Sequence, residues 1–466
     1  MRRIFAAVVS KGVQGPPSSG LKFHPCVYAG PVSSGVEMKF AYEYRYPVAM
    51  QGAMQGCARV DRPSRERHGA MGALVLIGLS AMPMVQASVA YVTCQTVDIK
   101  DAKSLNDAFQ AAINTLLLSV DPTRSTSLPK DVGWWVAANA WTAVTLKDRR
   151  GGDEQNRKTI ETVFARALNY SSPTFELNSF NDDQAWWALW ACEAARTYGD
   201  ASQGWLAAAK GAWMTIQQTW TDECGGGVPW DRSQPPGQGK KAIPNGLLLL
   251  LSSKLHALTG ESQYLDMATR VWGWLSGSGL VRSDGLVADS TQCNKPTYDP
   301  SCYANISWAT YSYNTGVVIS ALTELYRNTK NGTYLTAAST MGQAAVTSSA
   351  FLDPSGAIRE GCNCGQSGQQ CCESCGAPFP ACGDGVEFRG PYVRGLSDLY
   401  EVEPLPQIKA LIQRSLRGLL AYECTSSWQL GPHWYDFDEW TPTTSSQVPA
   451  LDLFAASCAV LDLVAT

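Results

Sequence analysis

Histidine and charge are both scarce in this 466-residue chain: it holds four histidines, and 17 % of its residues are charged against 45 % hydrophobic. After an apolar run at 71–84, only His256 and His433 remain. No two histidines are spaced for zinc, and no Gly-rich phosphate loop or Ser nucleophile elbow is present. Strand-like alternation is almost absent, which leaves a helical chain with enough apolar residues to bury a large core. The uncharged run Met71–Met84 is too short to cross a bilayer comfortably.

That run divides the chain. Residues 1–70 are rich in Gly, Pro, Ser and Arg and carry no sustained helical period. Arg62, Arg65 and Arg67 precede the run, and small residues ending at Ala87 and Ala90 follow it. Basic flank, apolar stretch and small-residue exit describe a secretory signal peptide at 71–90. Residues 1–70 are then a non-native or disordered leader, with Met54 or Met71 as the true start. The bland alternative is a signal anchor with a short cytoplasmic tail.

Residues 1–87 carry ten Lys/Arg against four Asp/Glu, leaving 27 basic and 37 acidic residues beyond them. Such an acidic remainder disfavours nucleic acid and anionic membrane surfaces and suits a neutral polymer. Sequons at Asn169, Asn305 and Asn331 agree with a eukaryotic secretory route. Thirteen cysteines follow the apolar run. In an oxidising compartment the dense set Cys362, Cys364, Cys371, Cys372, Cys375 and Cys382 reads as disulfides before it reads as zinc ligands. Cys293 and Cys302 are expected to pair. An odd total leaves a free thiol, for which Cys192 and Cys458, in helical apolar patterns, are the candidates.

From residue 91 onward the periodicity predicts twelve helices, near 104–118, 133–146, 154–168, 182–198, 201–220, 241–259, 261–276, 313–329, 332–349, 390–400, 403–422 and 446–463. Even members are apolar or small nearly all round, as in Leu247–Leu251, and odd members carry one polar face. All-apolar helices are enclosed and amphipathic ones peripheral, so the pattern predicts an (α/α)6 toroid of six inner and six outer helices over 91–466, with the Cys-rich stretch 362–382 as a loop insert. Even-to-odd connections are short. Odd-to-even connections are long and, by the alternation, share one face, where function is expected.

Asp182 and Asp183 open an inner helix on that face. Two neighbouring acids beside aromatic rings are what cleavage of a glycosidic bond requires. The local alternative is an Asn181/Gln184 capping box with acids in a first helical turn. Capping does not explain why the acids fall on the long-loop rim, beside other groups suited to sugar. Trp230 follows a Gly-rich loop, Tyr311, Tyr313 and Asn314 open the eighth helix, and Trp434 lies among acids. Asp436, Asp438 and Glu439 are the rival catalytic residues.

These motifs together resemble glycoside hydrolase family 76, the α-1,6-mannanases of fungi and bacteria, over about 91–466. Asp182-Asp183 is similar to the family's Asp-Asp motif, and Gly225–Trp230 with Lys241–Asn245 to its Gly-rich loop and the stretch after it. Tyr313–Gly316 and Phe388–Arg394 resemble its Tyr-Asn-Gln-Gly and Phe-Lys-Gly-Ile-Phe-Val-Arg motifs, departing at Thr315, Arg389 and Pro391. The resemblance implies Asp182 as nucleophile and Asp183 as general acid/base of a retaining reaction. The helix N-terminus is expected to keep Asp182 ionised, which would hold a proton on Asp183. Asn181, Trp186, Trp187, Trp134, Trp230, Asp289, Tyr311, Tyr313, Asn314, Phe388, Arg389 and Trp434 are the expected substrate contacts. The expected protein is a secreted or wall-associated monomeric endo-α-1,6-mannosidase acting on mannan, without metal or cofactor. A mannan transglycosylase and a non-catalytic mannan-binding wall protein are the alternatives; the C-terminal segment reads as a closing inner helix rather than a GPI signal.

Overall fold

The computed structural model describes residues 93–129, 132–200, 204–235, 239–291, 306–360, 383–436 and 440–461. The leader and signal peptide, the Cys293/Cys302 pair, Asn305, the Cys-rich insert, Asp438 and Glu439 lie outside them. Among the described residues are twelve α-helices: α1 (Ala102–Leu118), α2 (Trp134–Gly151), α3 (Arg157–Tyr170), α4 (Asn181–Tyr198), α5 (Trp205–Gln217) and α6 (Ala242–Thr259). The second half holds α7 (Ser262–Gly277), α8 (Ser312–Thr329), α9 (Gly332–Thr347), α10 (Arg389–Tyr400), α11 (Pro406–Tyr422) and α12 (Thr444–Ala459). Helix starts and stops follow local chemistry. Asp101 caps α1 by accepting from Ser104 N, Thr443 and Ser446 form a capping box on α12, and Gly152 and Gly260 end α2 and α6 in the left-handed region.

Burial separates the helices into two layers. Nearly every residue of α2, α4, α6, α8, α10 and α12 is buried, whereas α3, α7 and α11 bury one stripe each. Each inner helix packs on the next, α2 on α4 through to α10 on α12, and α12 returns to α2 and closes the ring. The outer helices sit over these seams, α3 against α2 and α4, α5 against α4 and α6. The (α/α)6 toroid expected from the alternation is the observed fold. A small antiparallel sheet interrupts it on the long-loop face. Its strands are β1 (Lys240–Lys241), β2 (Ser290–Thr291) and β3 (Ile306–Ser307), with Lys241 opposite Ser290 and Ser290 opposite Ser307.

Down the axis runs a small cavity, partly open to solvent. Thr142, Leu146 and Arg149 of α2 line it, with Trp186, Leu189 and Glu193 of α4 and Lys254 of α6. Its lower part is ionic. Arg149 and Lys254 both pair with Glu193, at 2.8 and 3.5 Å, and Arg196 and Arg327 pair with Glu324 at 2.6 and 3.2 Å. Against the desolvation that would raise it, Arg149, Lys254 and Arg196 hold the Glu193 carboxyl down at about 2. Cations in the last turns of α2, α4 and α8 also complement the negative ends of those helices.

Among the described residues Cys94 and Cys424 form a disulfide 330 residues apart in sequence, tying the segment before α1 to the loop after α11. Cys224 is also disulfide-bonded. Cys192 and Cys458 are free, as expected, and burial pushes their thiols up to about 12 and about 11, which leaves them inert.

The closest approach in the ring is between α8 and α10. A Cβ on Gly316 would lie 2.7 Å from the Pro391 carbonyl and nearer still to Tyr392 Cα, and one on Gly395 would strike the Gly316 carbonyl. Both contacts are backbone, which cannot yield without separating the helices. Gly395→Ala is therefore expected to cost about 3 kcal/mol or more. Gly273→Ala on α7, where a methyl meets nothing within 4 Å, should be neutral or gain up to ~1 kcal/mol from helix propensity. Denaturant unfolding of the two variants tests this, and equal stabilities would refute the close-packing account.

Candidate active site

The N-terminal ends of the inner helices bring the chemistry together. On α4, positions 182, 186, 189 and 193 form one axial stripe, so Asp182 stands above Trp186 and the ionic cavity below it. The start of α4 is fixed by side chains that do no capping. Phe180 is the N-cap and makes no side-chain cap bond. Asn181 Nδ2 donates to Thr219 Oγ1 and the Pro229 carbonyl, and its Oδ1 accepts from Arg232. Gln184 donates to the Thr174 carbonyl and also accepts from Arg232. The capping-box reading fails here. Asn181 is fully buried, which makes it a positioning residue rather than the sugar contact expected.

The two carboxyls have different surroundings. Asp182 Oδ2 accepts from Trp230 Nε1 at 2.9 Å, while its Oδ1 is closed off from solvent without a hydrogen bond. Asp183 Oδ2 accepts from Asn178 Nδ2 at 2.6 Å. Burial, and then the neighbouring Asp183 charge, push Asp182 up to about 7 against the opposing Trp230 bond. This reverses the polarity expected from the helix dipole, and the magnitudes explain why. A helix end is worth only about 0.3–1 kcal/mol, less than the cost of desolvating a carboxylate. Desolvation outweighs the dipole and favours the protonated form of Asp182.

An aromatic cluster lies near Asp182, reached through Trp186 on the same stripe of α4 and through Tyr313. Tyr313 stacks on Phe388 with centroids 3.9 Å apart, Tyr311 meets Phe388 at 5.4 Å, and Trp135 bridges Phe388 and Trp186 at 5.9 Å to each. Tyr311, Tyr313, Phe388 and Trp135 are all partly exposed, so this wall can meet a sugar face. Burial, then the charges of Asp289 and Asp182, drive the Tyr313 phenol well above its ordinary value. Asp289 is half-buried on the same rim, held by backbone bonds to Ala309 and Ala242. Asn314 is buried and neither amide atom has a hydrogen-bond partner, so it can serve a group that enters the site.

Several expected contacts lie elsewhere. Trp187 is core: it stacks on Trp134 at 4.3 Å and donates to the Trp134 carbonyl, and both are buried. Arg389 and Trp434 are fully buried against each other, with Arg389 donating to the carbonyls of Val386 and Pro432. Asp436 is exposed, and no described contact joins it to the acids. Trp135 joins the aromatic wall although it is not among the expected contacts. The stripe Trp135, Asn139, Thr142, Leu146, Arg149 would have revealed it, because the last three line the axis and Trp134 is one position out of phase. Asn178, two residues before the N-cap, carried no periodic signal at all.

The Asp182 environment has a stability consequence. Its folded pKa lies above the unfolded value, so the fold loses stability as pH rises from about 4 to about 7 and recovers none beyond. Asp182→Asn cannot ionise and keeps an acceptor for Trp230. It should therefore be more stable than the parent at pH 8, by about 1–2 kcal/mol after solvent screening, with the difference vanishing near pH 4. Thermal unfolding at the two pH values measures this. A variant no more stable at pH 8 would place the proton elsewhere.

The sequence profile of glycosyl hydrolase family 76 matches residues 104–462. Mannan endo-1,6-alpha-mannosidase DFG5 of Saccharomyces cerevisiae is 32 % identical over 162 residues, 33 % of this chain and 34 % of its own. DCW1 of Candida albicans, of the same name, is 29 % identical over 214 residues, 42 % of this chain and 45 % of its own. The chain thus spans about half the length, or less, of the curated relatives it matches. Among solved structures, an inactive variant of the α-1,6-mannanase GH76A of Salegentibacter sp. HEL1_6 aligns with a TM-score of 0.63. That variant has two consecutive aspartates replaced by alanine and is in complex with an α-1,6-mannotetraose; identity is 20 %, with 76 % of this chain and 99 % of that one covered. Dfg5 of Chaetomium thermophilum in complex with glucosamine aligns at 0.63 and 18 % identity, covering 79 % of this chain and 92 % of that one. With its profile match spanning the toroid from α1 to α12, the chain belongs to glycosyl hydrolase family 76.

Proposed function

We propose that the protein is a secreted, retaining endo-α-1,6-mannosidase that cleaves the backbone of mannan. The observation that carries this reading is the pair Asp182–Asp183, set at the head of an inner helix beside a partly exposed aromatic wall. The mannanase inactivated by removal of two consecutive aspartates supports it, as do the curated names of the fungal relatives. Adjacent carboxyls at one helix start suit the separation of about 5 Å used by retaining enzymes.

In this reading Asp182 attacks the anomeric carbon and Asp183 protonates the departing glycosidic oxygen. The pair then carries one proton, which must lie on Asp183 when the bond breaks. Positive charge developing at the anomeric carbon beside Asp182 favours its ionised form and drives the proton towards Asp183. Trp230 N–H holds the resulting carboxylate. In the second step Asp183 takes a proton from water, which displaces Asp182 and restores the starting configuration. Asn314 and Asp289 stand ready for sugar hydroxyls, and Trp135, Phe388 and Tyr313 for ring faces.

Proton NMR of linear α-1,6-mannan digestion should show the α anomer appearing first; a β product, or no cleavage, overturns the proposal. The roles separate with a dinitrophenyl α-mannooligosaccharide. Asp183→Ala should still release dinitrophenolate, stall at deglycosylation, and be rescued by azide with retained configuration. Asp182→Ala should lose turnover by several orders of magnitude, and any azide product should be inverted. An inverted azide product from Asp183→Ala would exchange the two roles.

A further inference from the structure

Two lysines stand side by side in β1 and meet opposite fates. Strand alternation turns Lys240 inward, where its ammonium donates to Thr221 at 2.7 Å and faces Glu223 at 3.9 Å. Lys241 turns to the other face, beside Ser290 and Ser307. Its Nζ sits 4.1 Å from the ring centroid of Trp230, and no carboxylate of a described residue pairs with it. That same indole donates to Asp182.

We propose that Lys241 is a positioning residue for the reaction, acting on Asp182 through Trp230. A cation over an indole face draws electron density from the ring and makes its N–H a stronger donor. The donated proton meets the carboxylate oxygen that must carry negative charge. A strand bond to Ser290 and the Lys241 position as N-cap of α6, whose Ala242 N–H donates to the Asp289 carbonyl, fix the root of the side chain. Trp230 is held just as firmly. Its carbonyl accepts from Asn181 N at 2.9 Å, Phe180 packs on its ring at 4.6 Å, and Asn245 of α6 grips Val228 through both of its amide atoms. The cation, the ring and the acid thus form a rigid relay from the sheet to the head of α4. The indole is 37 % exposed but already engaged by Lys241, Phe180 and Asp182, so its part is to hold the nucleophile rather than to seat a sugar.

The other groups acting on Asp182 are Asp183 on its own helix and Tyr313 on α8, with Asp289, Tyr311 and Glu360 acting in turn on Tyr313. The acids oppose ionisation of Asp182, and a tyrosine carries no positive charge. Trp230, backed by Lys241, is the side-chain hydrogen bond that favours it.

The inference rests on Asp182 as the nucleophile, and its test separates the two. In protein carrying ¹⁵N-tryptophan, the Trp230 indole resonance, identified by its loss in Trp230→Phe, reports Asp182 ionisation without any turnover. Lys241→Met should raise the midpoint of that titration by about 0.5–1 pH unit, a three- to tenfold change in proton affinity, and Lys241→Arg should restore it. The acid limb of kcat/KM on mannooligosaccharide should move by the same amount, and in a Trp230→Phe background Lys241→Met should move it no further. An unchanged midpoint in Lys241→Met overturns the proposal, including the case where KM alone rises because the lysine touches substrate. A shifted indole midpoint with no mannan cleavage would instead keep the relay and reject the assigned reaction.

Discussion

Everything at the site depends on one constraint, the closure of six parallel inner helices into a ring. Closure points six helix N-termini at one end of the axis and six C-termini at the other. Positive dipole ends then favour acids above, and negative ends favour cations below. The chain obeys at both ends, with Asp182 and Asp183 in the first turn of α4 and Arg149, Arg150, Arg196 and Arg327 in the last turns of α2, α4 and α8. Closure also desolvates the Asp182 carboxyl, and that second effect is the larger. It sets the protonation of Asp182 against the preference of the dipole beside it.

The layers were legible in the sequence because burial on every side leaves a composition, not only a period. Leu247–Leu251 can sit only in an enclosed helix, and α6 buries all five. The acids were legible because their place at a helix start on the long-loop face could be deduced from connection lengths alone. Individual aromatic contacts were harder. Trp134 and Trp135 differ by one position, about 100° around a helix, and composition cannot tell which faces the axis. The same ambiguity covers Trp186 and Trp187, of which only the first lines the cavity. Arg389 and Trp434 are polar-tipped or amphipathic residues in a rim motif, yet they bury against each other because the Phe388 backbone turns into α10 there.

Long-range pairings left no local trace either. The Cys94–Cys424 bond spans nearly the whole described domain and follows only from ring closure, which brings the chain before α1 beside the loop between α11 and α12. Asn178 lies outside any helix, but its amide reaches Asp183, and its Oδ1 accepts from Phe180 N in the turn that launches α4. One residue thus shapes the helix start and holds the Asp183 carboxyl. A reading based on period has no means of seeing it.

The two carboxyls, though adjacent in sequence, are kept chemically distinct by what each hydrogen bond is attached to. The donor to Asp183 comes from Asn178, in the turn that belongs to α4 itself, so the two move together. The donor to Asp182 comes from Trp230, rooted in a different loop and braced by α6 and the three-stranded sheet. Any displacement of α4 relative to α6 therefore changes the Asp182 bond and leaves the Asp183 bond intact. The seam between those helices, where α4 packs on α6 and α5 covers both, thus acts on the pair through the Asp182 bond. With equal surroundings two neighbouring aspartates would share a proton evenly, and it is the unequal anchoring of their hydrogen bonds that distinguishes them.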